Sequence, residues 1–452
     1  MFGLMTYAGV VASLLLVLWK YPAVGLAGVL CMFGLEQWGQ ATNTFFSQHQ
    51  SATNYLIGGI LVLALTLQTM KKGLSLFAGY PSVGWLTLVL FLYAFASTQW
   101  ASRPDISMAE WGSRLPYVVT ILLLSPLIIC EIRDLRSTYT ALFLIGGVLT
   151  VLLLFFVKWE ARRIVLGNSI GDQGFGNPLA IAGMAGMVAI VGILANPWPQ
   201  SKAWLPFKWT LVALCLILIV RSGSRAQLLG VIVISAACWP ISRPIKDSKQ
   251  FFAWTFGVLF LSGITVLALG EFWSKQEAYY AGGNRWSEQA MQGAMSGRFD
   301  MALYLVNLWY SAPETIFFGL GNSTSFDPRI LGIYPHFVPL EILAEEGLVG
   351  IILFLTILYM TGRNALRGYR SVRSVPSDRP IFAALVAMFL YASLLALKQG
   401  SLLGNLEPFM FAIILGKHSR IFPEKEVVSD SLQASTPTPT QERVGWAPQT
   451  SF

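Results

Sequence analysis

Apolar residues run along this chain in blocks. Thirteen of them, near 5–19, 22–35, 55–69, 83–98, 116–130, 140–157, 178–195, 207–220, 226–241, 252–269, 346–361, 380–397 and 402–416, are almost free of charge. In hydrocarbon such a block has to be helical, because only a helix pairs all of its own backbone N–H and C=O groups. Several blocks are shorter than the ~20 residues of a full crossing, so they are expected to extend into their flanks. The longest water-side segment is roughly 270–345. Within it, Arg298–Tyr310 reads as an amphipathic helix lying along the membrane. Phe337, Leu340, Leu343 and Leu348 have the spacing of a helix that feeds into the next block.

The pattern predicts an all-α polytopic membrane protein with about 12–13 transmembrane helices and one large loop on the outer side containing short amphipathic helices. Helices 1–10 occupy 1–269, the large loop 270–345, and the C-terminal transmembrane helices 346–416. A polar, Ser-Thr-Pro-rich tail over 417–452 is expected to be disordered and cytoplasmic. The N-terminus lacks the basic region and small-residue site of a cleaved signal peptide.

Composition agrees with the pattern. Hydrophobic residues make up 55% and charged residues 12%, about half the charged fraction of a soluble domain, and mean hydropathy is +0.60. Counting Lys and Arg in alternate loops puts 12 of the 31 basic residues on one side and the rest on the other. The basic-rich side, with the tail, is expected to be cytoplasmic, which places 270–345 on the face opposite the cytoplasm. The net charge of +8 follows from that asymmetry, so nucleic acid is not expected as a partner. All four cysteines fall inside predicted spans, leaving neither a disulfide framework nor a metal site.

Nine of the 12 outer basic residues are arginines: Arg103, Arg114, Arg162, Arg163, Arg221, Arg225, Arg285, Arg298 and Arg329. Singly, each reads as a snorkelling or ion-paired side chain. As a set they suit an anionic ligand at the outer leaflet, because a guanidinium binds phosphate in bidentate fashion. Arg221-Ser-Gly-Ser-Arg225 forms a tight turn between two spans, Ser296-Gly-Arg298 opens the amphipathic segment, and Tyr334-Pro-His336 precedes the next block. His336 is the only histidine in the large loop. Histidine titrates near neutrality, which suits it to accept a proton from an attacking hydroxyl.

These residues resemble the O-antigen ligase and O-antigen polymerase superfamily of bacterial inner-membrane glycosyltransferases, most closely over about 160–361. His336 with Gly347-Leu-Val-Gly350 is similar to the family's histidine motif, and Ala344-Glu-Glu346-Gly347-Leu348 to its acidic-Gly-Leu signature. Ser224-Arg225, Ser296-Gly-Arg298 and Gly176-Asn-Pro-Leu-Ala180 resemble its arginine motifs and its Asn-Pro turn. Phe337 departs from the small polar residue usual after the ligases' histidine.

The resemblance implies a metal-independent, inverting transfer of glycan from an undecaprenyl-diphosphate-linked donor, with no cofactor. Arg225 and Arg298 would clamp the diphosphate, and His336 would act as base on the acceptor hydroxyl. Arg162, Arg163 and Arg221 would be further donor-binding residues, with Glu346 orienting the site. Phe337 and the number of spans favour a polymerase for O-antigen or exopolysaccharide, with a chain-length regulator as a partner. A ligase acting on lipid A core or protein is the alternative. A polysaccharide or lipid-linked-substrate transporter is the reading from another class. Transporters place charged or broken-helix sites near the bilayer midplane, and Glu407 is the main ionisable residue inside a predicted span.

Overall fold

A computed structural model describes residues 2–73, 80–160, 163–166, 174–195, 204–243, 247–250, 252, 254–257, 263, 288–398 and 400–422, the side chains of 288–296, 298 and 299 aside. The protein is an all-α, multi-pass membrane protein. Among the described residues, eight helices are long and apolar enough to cross a bilayer, and three shorter apolar helices accompany them.

The first half of the chain forms α1 (Phe2–Leu18), α2 (Val24–Thr42), α3 (Thr44–Gln48), α4 (Ala52–Lys72), α5 (Ser82–Ser97), α6 (Pro104–Tyr117), α7 (Ser125–Ile128), α8 (Ile132–Phe155) and α9 (Pro178–Leu194). There follow α10 (Trp204–Arg221), α11 (Arg225–Ser242), α12 (Glu288–Trp309), α13 (Pro313–Phe318), α14 (Val338–Val372), α15 (Arg379–Ala396), α16 (Glu407–Gly416) and α17 (His418–Ile421). Each apolar block read from the sequence meets one of these helices except 252–269, most of which lies outside the described residues. The amphipathic helix is longer than expected, beginning at Glu288, and it packs on α14. The helix expected from the spacing of Phe337, Leu340, Leu343 and Leu348 is present, since α14 begins at Val338 and runs into the next block. Pro339, within its first turn, opens it, and Pro335 lies ahead of it.

α9 is the hub. Its Ala182, Gly183, Ala185, Gly186, Ala189 and Gly192 are buried, and small side chains let neighbouring backbones approach where no hydrophobic effect drives helices together. α2, α8, α10, α11 and α15 all pack on it. The outward surface is apolar: Leu16 is 79% exposed and Ile352 60%, which suits a lipid solvent and would be an aggregation liability in water.

Contacts distinguish the two ends of the bundle. At the basic end, Lys71 Nζ donates to the carbonyl oxygens of Trp19 (2.8 Å) and Lys20 (3.0 Å). Lys72 pairs there with Glu131 at 2.9 Å and Asp134 at 3.3 Å, and the buried Lys417 donates to the carbonyls of Pro126 and Ile129. The opposite, loop end carries the Trp159–Glu160 and Arg163–Ile164 strand pair (β1 and β2) and the segment 310–337.

Two helices depart from a simple crossing. The line from Pro104 to Ile128 passes through a π-helical stretch at Val118–Leu124. α16 spans 10 residues, so it is ~15 Å long, half the ~30 Å of a hydrocarbon core. The final block, expected over 402–416, is therefore half a crossing. Gly400, Gly404 and Asn405 form turns at its start, and a Ser401–Asn405 hydrogen bond of 2.9 Å closes them.

Candidate functional site

The loop end is organised by a break in α14. Gly347 has φ 66° and ψ −162°, a conformation essentially restricted to glycine. A break frees the carbonyls of the preceding turn from their partners four residues on. Here Ala344 O and Glu345 O accept the amides of Leu320 and Gly321, both at 2.9 Å. The approach is close. A Cβ on Gly347 would lie 2.4 Å from Gly319 N, and one on Gly319 (φ 80°) would lie 2.2 Å from Glu345 O.

Buried acids fasten the same joint. The Glu345 carboxylate accepts the backbone amides of Ser323 (2.6 Å) and Ser325 (2.9 Å). Glu346 accepts from Asn322 Nδ2 at 2.9 Å, and Glu341 accepts the Leu402 amide. On the far side, Asn322 N donates to Ser97 Oγ and Tyr93 Oη donates to Phe318 O. Asp327 then holds the descending chain. It accepts from Ser102 Oγ at 3.0 Å and from the Arg329 backbone and guanidinium. The Arg329 side chain, followed by its amide, keeps the Asp327 carboxyl well below the usual carboxylate range.

From this clamp the chain runs to Tyr334 and His336. His336 is one of two non-glycine residues with positive φ among those described, at 62°, the other being Ser323 in the clamp. Its ring stands edge-on to Tyr334, with centroids 4.3 Å apart. Tyr334 in turn lines a cavity of about 390 Å³ at the loop end.

The cavity lies at the N-terminal end of α16. Glu407, in the first turn of α16, lines it together with Asn405, Glu36 of α2, Arg114 and Tyr117 of α6, and Asn177. Glu36 accepts from Gln40 Nε2 at 2.9 Å, and the Asn54 side chain bridges Glu36 and Tyr117. Gln37 Oε1 accepts the Asn177 amide at 2.9 Å, while Asn177 Oδ1 caps α9. The π-helical stretch contributes Ile121, and such stretches recur at functional sites. The lining can hydrogen-bond a polar solute and offers one guanidinium and two carboxylates.

The sequence candidates divide. His336 sits beside the cavity through Tyr334. Arg225 opens α11, partly buried, directly after the tight turn. Arg221 is committed to the scaffold: it donates to Leu154 O at 2.7 Å, and its guanidinium lies 5.1 Å from the Trp159 ring centroid. Arg221→Ala is accordingly expected to cost about 1–2 kcal/mol of stability, for one hydrogen bond and one cation–π contact. Thermal melting measures that loss, and an unchanged melting temperature would refute the assignment. Glu346 lies in the clamp and does not line the cavity. Arg163 is exposed on β2. Arg298 falls on α12 with its side chain outside the described residues, and Arg162 lies outside them altogether.

Glu36 escaped the sequence reading, because the second block was ended at residue 35 whereas α2 continues to Thr42. Its signal was the polar trio Glu36, Gln37 and Gln40, spaced to share a helix face. Among the described residues no cluster of His, Cys, Asp and Glu could hold a metal ion. No protein-family model matches the sequence, and no curated protein matches it.

Proposed function

We propose that the protein is a membrane glycosyltransferase that extends or transfers a glycan carried on undecaprenyl diphosphate, at the loop end of the bundle. The observation that carries this reading is the Tyr334–His336 ring contact beside a polar cavity of about 390 Å³. That contact sets an imidazole, a side chain able to act as a base, next to a site able to hold sugar hydroxyls. The loop end would face the periplasm of a bacterial inner membrane, in keeping with its smaller share of basic residues.

In this reading the acceptor hydroxyl gives its proton to His336 while its oxygen bonds to the anomeric carbon. The bond from that carbon to the diphosphate oxygen breaks with inversion, and undecaprenyl diphosphate leaves with the electron pair. Arg225 and Arg298 would stabilise the charge gathering on it. Arg114, in the cavity wall, joins Arg163 and Arg162 as a donor-binding candidate. Polymerisation of O-antigen or exopolysaccharide, in concert with a chain-length regulator, is preferred to ligation onto lipid A core or protein.

The test is direct. Purified protein supplied with lipid-linked oligosaccharide repeats should produce a ladder of longer glycans. Transfer to lipid A core without lengthening would identify a ligase, and neither product would overturn the proposal. One observation favours a transporter as the second reading. α16 is a half-length helix whose first turn, with Glu407, borders the cavity, as broken helices do at transport sites. Uptake of the lipid-linked substrate into liposomes without any change in glycan length would select it.

A further inference from the structure

A second concavity, of about 920 Å³, lies on the lipid-facing side of the bundle between α1 and α8. α1 packs on α2, and α2 on α8, so α1 and α8 stand apart above a floor that includes Val24. The walls carry Gly9, Ser13 and Val17 from α1, and Leu144, Val148 and Leu152 from α8. The hydroxyls within it are spent on their own helices: Ser13 Oγ donates to Gly9 O (2.7 Å) and Thr140 Oγ1 to Arg136 O (2.8 Å). The groove is therefore apolar along its length. From Arg136 to Leu152 it follows α8 for ~24 Å, more than half the thickness of a hydrocarbon core.

Its basic-end mouth is different. Arg133 and Arg136 line it, and Lys20 stands 5.4 Å from the ring centroid of Tyr21, another lining residue. Two of the acids nearby are engaged elsewhere. Glu131 and Asp134 pair with Lys72 at 2.9 and 3.3 Å and cap α8. Asp378 reaches Arg136 only at 3.8 Å, with the arginine side chain half exposed, a weak pair. Arg133 is exposed and makes no ion pair among the described residues. An apolar trench ending in cationic side chains at one membrane surface matches a chain with an anionic head.

We propose that this groove is a binding site for an anionic glycerophospholipid of the leaflet at the basic end, with an acyl chain along α1 and α8 and its phosphate against Arg133 and Arg136. The site lies at the opposite end from the cavity proposed for the glycan donor, and it does not depend on that proposal.

Full-length protein in detergent, titrated with phosphatidylglycerol or with phosphatidylcholine of the same acyl chains, reports occupancy by native mass spectrometry. Phosphatidylglycerol should be retained at least about fivefold more tightly, and Arg133→Gln should weaken it by about fivefold, the worth of one surface cation. Gly9→Trp should abolish retention of both lipids. A Cβ at Gly9 meets nothing within 4 Å, so the ring fills the groove without disturbing the core. Val148→Trp, on the opposite wall at a residue 50% exposed, asks the same question if the first variant fails to fold. Equal retention of the two lipids, or wild-type retention by the folded tryptophan variants, would each overturn the proposal.

Discussion

Gly347→Val is expected to lower the stability of the detergent-solubilised protein by on the order of 3 kcal/mol or more, through backbone strain together with overpacking. The two sources act at once. Valine cannot adopt φ 66° with ψ −162° without steric cost, and its Cβ would stand 2.4 Å from Gly319 N and 2.5 Å from Phe317 O. Neither atom can yield locally, because both belong to backbone. The strain must open the joint that pairs Leu320 and Gly321 with Ala344 and Glu345, and the segment carrying His336 should loosen with it. Gly59→Ala in α4 is the control, since nothing lies within 4 Å of a Cβ there and alanine favours a helix. Thermal melting of the two variants side by side decides the matter. Equal melting temperatures would show that the joint does not hold the fold.

His336→Gly should do the reverse, leaving the fold nearly untouched while removing 10²- to 10⁴-fold of the glycan-transfer rate, the usual worth of a positioned general base. Glycine takes φ 62° without strain. The lost contacts of the ring, the one with Tyr334 among them, are therefore offset in part by relief of the backbone, and stability should fall far less than in Gly347→Val. The comparison separates chemistry from architecture, because a histidine serving only as packing would leave the rate intact. Glycan-ladder formation by purified protein provides the readout, and a glycine variant as active as the parent would remove His336 from the reaction.

Much of the helical framework was legible because hydrocarbon imposes one rule on every apolar block. A run such as 140–157 must be helical, and α8 contains nearly all of it, extending backwards through Arg133 and Asp134 to a capping box at Glu131. Length was less legible, since a helix can outrun its apolar block where polar side chains meet partners from other elements. α2 reaches Thr42 in this way, with Gln37 held by the Asn177 amide. The last block fails in the other direction. Leu402 and Leu403 extended the apolar run, but Gly400, Gly404 and Asn405 turn the chain before α16 begins.

For the site, the spacing from His336 to Gly347 was visible as a motif, but its physical content was hidden. Nothing local to Gly347 reveals that Phe317 and Gly319 lie against it. Nor does the neighbourhood of Glu36 in the chain reveal that Glu407 lines the same cavity. Those pairings join segments about 30 and about 370 residues apart, so no periodicity records them.

The half-length α16 also has an electrical consequence. A charged group that enters from the loop end and comes to rest beside Glu407 stands one ~15 Å helix from the far end, about half the thickness of a hydrocarbon core. It therefore senses about half of any transmembrane voltage, or ~1 kcal/mol per elementary charge at 100 mV. Occupancy of the cavity floor by an ion or an anionic headgroup would vary severalfold between an energised and a depolarised membrane, with no moving part in the protein required.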